Sequence, residues 1–429
     1  MKKILMVALA CMMLLGIIPI AHADVVEVSI PSYMCGSNVG GLYFMPLVER
    51  FNEEYEGRYK VVIEEVVQDL YNDKIMQMGQ QNMLPALING SLNEAWFLDV
   101  VVAGGLFVDL KDFVDATPAI KDYYNEANYD YNTFDGKLAT VPSPLVNLIT
   151  MYYNGALWTP GRPIHEMSWQ DVAADLGEQK IAFMTAENAW TTMLTLTSLI
   201  AAEPGGAELM YESFPNKMMD LNNPIMINAF AKLQELLQNN ASSNTVGAAY
   251  ADAANSFMSN NSAIIVNGPW MMGDFGPGGE DKWSEGFDPA TVHGAVLPGN
   301  VGIQNPFGWG WWIPSYLPQE EIELAKAFLE FMNRPEQLES QMTILGGAIP
   351  GFAYSEEFMA KRAEDRLADE YMSAPNADTI IVPSFEGIVP ASVASPEFGK
   401  LLPKLIDGSL TPEAFAAELT KKAAETALD

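Results

Sequence analysis

Cysteine is almost missing from this chain of 429 residues, which has only Cys11 and Cys35. Cys11 lies in an N-terminal stretch that reads as a leader, so the exported protein keeps one thiol. A disulfide scaffold is excluded, and stability must come from burial. Histidine is equally scarce: His22 falls in the same leader, and His165 and His293 remain. A zinc site of several His and Cys ligands is excluded, and a Ser-His-acid triad has two possible bases. Positive charge is the third shortage, with 23 Lys and Arg against 55 Asp and Glu and a formal net charge of -32. Such a surface repels phosphate backbones and anionic lipid heads, so nucleic acid is excluded as a partner. No Gly-rich phosphate loop, nucleophile elbow or metal motif occurs, and neither cofactor nor metal is expected.

The sequence does have apolar mass: 49% of residues are hydrophobic and 10% aromatic. A single core stops growing at roughly 250 to 300 residues, so two lobes are expected. The first 23 residues stand apart. Lys2 and Lys3 precede an apolar run from Ile4 to Ile20, and Ala21-His22-Ala23 offers the small residues of a signal-peptidase site, with cleavage before Asp24. Two other readings compete. A membrane anchor conflicts with the Ala-x-Ala site, and lipid attachment at Leu9-Ala10-Cys11 would leave most of the apolar run on the mature chain. No later segment approaches 18 unbroken apolar residues, so the mature protein is expected to be soluble, monomeric and periplasmic.

Strands and helices alternate along that mature chain. Val25 to Ile30 alternates apolar and acidic residues, Gly40 to Tyr55 has helical spacing, and Lys60 to Val67 is β-branched, a β-α-β opening. Short strands are expected at Pro85 to Ile88, Phe107 to Leu110 and Leu138 to Val141, the last after an Asp135-Gly136 hairpin turn. Asn223-Pro224 opens a helix through Leu237, Pro318 opens another, and Ser409 to Pro412 caps a C-terminal amphipathic helix.

Five pieces in this order resemble one family: Phe44-Met45-Pro46-Leu47-Val48-Glu49-Arg50-Phe51, Gly105-Leu106-Phe107-Val108-Asp109-Leu110, Asp135 to Pro142 leading to Met151-Tyr152-Tyr153-Asn154, Phe257 to Trp270, and Ala325 to Met332. Together they resemble the extracellular solute-binding proteins of ABC importers, in the sugar-binding group of maltose-binding protein. Asn267-Gly268-Pro269-Trp270 is the closest piece. One departure is Pro85-Ala86, where the family usually has Pro-Asp. The resemblance implies an α/β, two-lobed periplasmic-binding-protein fold with a ligand cleft between lobes joined by a multi-segment hinge. It places crossings near Pro142 to Val146, Ala295 to Gly299 and Gly346 to Pro350. Lobe one would be 24–143 plus 298–348, and lobe two 144–297 plus 349–429. Ligands of such sheets bind beyond the carboxyl ends of strands. The implied partners are a small-molecule sugar and the ABC permease subunits.

A pyranose needs a flat π surface beneath its C–H face and fixed donors and acceptors around its hydroxyl fringe. Trp270, in a loop after the Ala263 to Val266 strand, matches a sugar-stacking position of the family. Trp96, Trp190 and Trp309 are further candidate platforms, while Trp311 and Trp312 alternate faces so that one belongs to the core. Ser37 and Asn38 lie in the first strand-to-helix loop, whose glycines let a ligand approach the backbone. Glu94 and Glu187 are candidate acceptors of sugar hydroxyls. A glycosidase would need two facing carboxylates, and with 55 acidic residues a pair such as Glu94 and Glu187 carries no weight. A binding protein for glycerol phosphate or a peptide is the remaining alternative. An anion site wants Arg or Lys, which these segments scarcely contain.

Overall fold

Strand Val26–Ser32 runs parallel to Tyr59–Glu65, pairing Val26 with Tyr59 and Ile30 with Ile63. The helix between them, Gly41–Glu54, buries Phe44, Leu47, Val48 and Phe51. These four recur at the three- and four-residue spacing of one helix face, so one stripe covers the sheet. The molecule is described here from a computed structural model that covers residues 25–90, 96–123, 126–186, 188–304 and 310–426. The leader and its cleavage site lie outside the described residues.

Two large apolar clusters divide the chain. The first gathers the β-α-β opening, Leu110, Leu138, Val141, Trp311, Ile313 and the inward face of helix Gln319–Met332. Its second sheet has Gly310–Trp312 in the centre, antiparallel to both Ile88–Asn89 and Val141–Pro142. The Asp135-Gly136 turn joins Thr133–Phe134 to Lys137–Leu138 as a hairpin, both residues having positive φ as a two-residue turn requires. The expected strand at Phe107 to Leu110 is reduced to a single bridge from Phe107 to Pro314. Leu110 instead flanks a helix, Lys111–Ala116.

The larger cluster is built on a four-stranded sheet in the order Val292–Ala295, Thr150–Asn154, Ile264–Asn267, Ile181–Ala182. Helix Trp190–Ala201 is buried along nearly its whole length, with apolar residues and short hydroxyls on every side and no charge, as suits a helix inside a lobe. Its hydroxyls bond within the lobe: Thr192 Oγ1 donates to the Met184 carbonyl at 2.5 Å and Thr197 Oγ1 to that of Met193 at 2.7 Å. Helices Pro224–Asn239, Phe398–Ile406 and Pro412–Thr426 close the outside, with Phe415 in edge contact with both Phe230 and Phe398.

Two of the three segments expected to cross meet each other where Val146 bridges Ala348. The crossing expected at Ala295 to Gly299 is different. Leu297, Val301 and Ile303 all belong to the larger cluster, and Val301–Ile303 pairs in parallel with Ile380–Val382. Ala295 to Gly299 is therefore a turn inside that lobe, and the chain leaves it only after Ile303, which still bridges Ile149. Proline and glycine mark where a strand ends, and they do not say which lobe the next strand joins.

Tyr371, on helix Arg366–Ser373, fastens the sheet to the crossing. Its buried hydroxyl accepts from the Thr150 N–H at 3.0 Å and shares its proton between the carbonyls of Asn267 at 2.9 Å and Leu148 at 3.1 Å. Tyr371→Phe removes the side-chain partner of these buried groups. It should cost about 1 to 3 kcal/mol, read as a lower urea midpoint with an unchanged slope.

Candidate ligand site at the end of the central strand

Strand Ile264–Asn267 ends in a turn whose geometry is dictated by one ring. The indole of Trp270 folds back over Gly268 so closely that a Cβ there would lie 2.2 Å from it. Only glycine is compatible with that approach. Pro269 opens the short 3-10 turn Pro269–Phe275, where its missing N–H costs nothing. Tyr152 Oη donates to the Gly268 carbonyl at 2.9 Å and Asn267 Oδ1 accepts from the Gly268 N–H at 2.8 Å, so both backbone groups of the glycine are held.

Trp190 stands beside Trp270, ring centroids 5.6 Å apart and planes inclined by 37°. Both rings are half-buried. Trp190 begins its helix directly after Ala189, which is fully buried and left-handed at φ 53°. An alanine held there costs of order 1 kcal/mol, a strain that aims the first helical side chain. Asn188 Oδ1 accepts from the Trp190 N–H at 3.2 Å and completes the turn.

Tyr250, at the start of helix Tyr250–Met258, joins the two rings to the strand. Its hydroxyl accepts from Asn267 Nδ2 at 3.1 Å and from the Trp270 indole, and burial raises its pKa well above the ordinary phenol range. With two donors pointed at its oxygen, the Tyr250 proton is not used by either bond. Neither Tyr250 nor Asn267 figures among the residues expected from the sequence. The clue was the helical register that puts Tyr250 at an N-terminus just before the Ile264–Asn267 strand.

Behind the turn lies a buried ion pair. Asp274 is 3% exposed and its Oδ1 accepts from Lys282 Nζ at 2.5 Å, while Trp283 Nε1 donates to the Asp274 carbonyl at 2.7 Å. Burial raises the Asp274 pKa, and Lys282 opposes that rise.

The first strand-to-helix loop is brought to the same place. Val39, next to Asn38, approaches Gly273 so closely that a Cβ on the glycine would lie 2.6 Å from the valine. Ser37 is exposed. Asn38 is engaged within its own lobe, Oδ1 accepting from the Gly40 N–H and Nδ2 donating to Gln68 Oε1, each at 2.8 Å. Trp96 sits elsewhere, in a satellite cluster with Phe97 and Trp312, and its buried indole N–H has no partner among the described residues. Trp311 and Trp312 do alternate, yet both are buried, because the two faces of their strand meet two different apolar clusters. Glu94, Glu187 and Trp309 lie outside the described residues. Among the described residues no group of three or more His, Cys, Asp or Glu side chains could hold a metal ion. No helix there is long and apolar enough to cross a membrane.

Removing the cation should expose what the pair does. Lys282→Met strands a buried carboxylate and should destabilise the fold by about 3 to 5 kcal/mol at neutral pH. A carboxyl whose folded pKa is raised favours the fold when protonated, and that favour is lost as pH rises through the folded value. The deficit of the variant should therefore shrink as pH falls toward about 4, which urea titrations at several pH values would read.

The sequence profile described as "Bacterial extracellular solute-binding protein" matches residues 46–366, well over half of the chain. No curated protein sequence matches. Among solved structures, a chitin oligosaccharide binding protein superposes with a TM-score of 0.76 at 18% identity, over 94% of this chain and 99% of that one. An ABC transporter solute-binding protein from Thermotoga lettingae bound with α-D-tagatose gives 0.71 at 16%, over 94% and 99%. A Streptococcus pneumoniae solute-binding protein in complex with the blood group A-trisaccharide gives 0.69 at 18%, over 93% and 99%. At such identities the likeness is one of fold.

Proposed function

Because this chain belongs to the bacterial extracellular solute-binding protein family, we propose that it captures a neutral sugar between its two lobes and delivers it to an ABC importer. The observation that carries the proposal is the Trp190–Trp270 pair with the Tyr250 hydroxyl between ring and strand. Two half-buried indoles offer the flat π surface that the C–H face of a pyranose needs, and Tyr250 offers a fixed donor at its edge. Lys282, the cation of this segment, is spent on Asp274, so the turn presents an anion with no free positive charge. The solved structures with similar folds include proteins bound to tagatose and to a trisaccharide, which supports the choice of ligand class.

The lobes of this reading are 24–143 with 310–348, and 144–304 with 349–426. The second crossing is moved past Gln304 because Leu297, Val301 and Ile303 lie in the larger core. The mature protein starts at Asp24, acts as a monomer outside the inner membrane, and makes or breaks no bond. Ligand bridging both lobes favours the closed form by its differential affinity for it, and the permease reads the closed shape. Ser37, Asn38, Glu94, Glu187 and Trp309 complete the proposed lining, and Trp96, packed in its satellite cluster, is left out of it.

A thermal-shift screen of the mature protein against a sugar panel tests the class, since ligand at 100 times its dissociation constant adds about 2.7 kcal/mol. Trp270→Ala should weaken the best ligand by about 1 to 3 kcal/mol with the melting temperature nearly kept. A sharp fall in melting temperature with binding intact would make Trp270 a core residue.

Salt separates the neutral ligand from an anion. Titration calorimetry at low salt and in 0.5 M NaCl, where the Debye length is roughly 4 Å, should give dissociation constants within about threefold. A tenfold change, or a best ligand that carries phosphate, would replace the sugar by an anion.

A further inference from the structure

Helix Gly206–Asn216 follows helix Trp190–Ala201 after a short turn, packs against it, and carries Phe214 on the larger lobe. There it meets a residue of the other lobe. Tyr131 ends helix Glu126–Tyr131, and its ring stacks on that of Phe214 with centroids 6.1 Å apart and planes 30° from parallel.

Both rings are held on anchored backbone. Beside Tyr131, the fully buried Asn132 accepts from Thr140 Oγ1 at 2.5 Å and from the Ala139 N–H at 2.9 Å, and Tyr129 packs on the core of the smaller lobe. Phe214 packs on the core of the larger lobe. Beyond it, Lys217 places Nζ 5.3 Å from the Phe214 ring centre and donates to the Gly387 carbonyl at 2.7 Å, while the Met218 N–H donates to Ile388 O at 2.6 Å. These bonds tie the end of the Phe214 helix to the segment Phe385–Ile388. The Tyr131 phenol is pushed up to about 12, by burial first and by the Glu386 carboxylate second, so the ring stays neutral at any physiological pH.

We infer that Tyr131 and Phe214 form an aromatic latch between the lobes, a contact made by the protein itself that favours closure before ligand arrives. Rings carried on separate rigid lobes cannot stay stacked when the lobes part, so the contact belongs to the closed form. A stacked pair of this kind is worth about a two- to tenfold change in an equilibrium constant. By linkage the same factor enters ligand affinity, because a ligand that needs the closed form is weakened in proportion as that form is depopulated. The latch thus sets affinity from outside the ligand-contacting residues, and this second consequence rests on the capture by closure proposed above.

The test needs no ligand in its first arm. Spin labels on Met83→Cys and Val246→Cys, exposed positions one on each lobe, in a Cys35→Ser background, report the distance between lobes of the mature protein. Tyr131→Leu and Phe214→Leu, which keep apolar bulk and remove the stack, should each shift the ligand-free distribution toward the longer distance, with melting temperatures near the parent's. The double variant should shift it no further than the larger single, as expected for one shared contact. Unchanged distributions in both single variants overturn the latch, whatever binds, and so do shifts that add in the double variant. In the second arm, each single variant should raise the dissociation constant of the best panel sugar about two- to tenfold. A shifted distribution with no sugar bound by parent or variants keeps the latch and sinks the sugar reading instead.

Discussion

The hydroxyl of Tyr371 holds three backbone groups at the place where the lobes are joined. It takes the Thr150 N–H and serves the carbonyls of Leu148 and Asn267. Leu148 and Thr150 belong to the segment that enters the larger lobe from the crossing, and Asn267 is the last residue before the Trp270 turn. The position of the indole relative to the hinge is therefore fixed through one buried phenol, whose own pKa burial pushes far up. The helix that carries Tyr371 is itself pinned, since Arg366 donates to the carbonyls of Ala290 and Val292 at 3.0 and 2.7 Å. Unmet polar groups in this interior would cost more than the bonds earn, so the arrangement is stiff because every member needs the others.

That stiffness passes directly to the candidate site. Trp270 lies on Gly268, Gly268 is bonded by Tyr152 and Asn267, and Asn267 also bonds Tyr250, which receives the Trp270 indole. A platform already held in one orientation loses little side-chain freedom when a ring settles on it, and binding energy is kept for affinity. The strained Ala189 serves the same end for Trp190. The price is a turn that tolerates few substitutions, because a side chain at Gly268 would occupy the space of the indole.

Much of this was legible in the residues. The helix over Gly41–Glu54, the Asp135-Gly136 hairpin, the helix opened by Asn223-Pro224 and the turn after Ile264–Asn267 follow from periodicity and turn chemistry. The two-lobed family fold followed from the order of the pieces. What local pattern could not reveal is long-range pairing. Nothing around Val301 tells that its partner is Ile380, almost 80 positions later, so the Gly- and Pro-rich stretch before it does not by itself say which strand follows it into which sheet. Alternation of Trp311 and Trp312 predicts one core residue, and that both are buried follows only from the second cluster of Phe97, Ile88 and Trp96 on the other face. Tyr371 sits on the buried face of a short helix with Leu367 and Ala368, where it reads as one more core residue, and its role depends on segments distant in sequence.

A formal charge of -32 makes closure itself a physical problem, because two acidic lobes repel as they approach. At physiological salt the repulsion is screened beyond roughly 8 Å, but the lobes meet at shorter range than that. Three of the contacts between them are uncharged, Val39 against Gly273, Leu42 near Gly278, and Tyr131 on Phe214, while near the crossing Glu339 accepts from Ser355. Apolar seams let the lobes touch while the carboxylates remain solvated outside, and Lys282 neutralises the acid buried beside the seam, Asp274. A neutral ligand suits such a cleft because it adds no charge to be compensated as the lobes come together. Acidic lobes can thus meet where apolar groups carry the contact, and a neutral ligand leaves the charge to be screened unchanged.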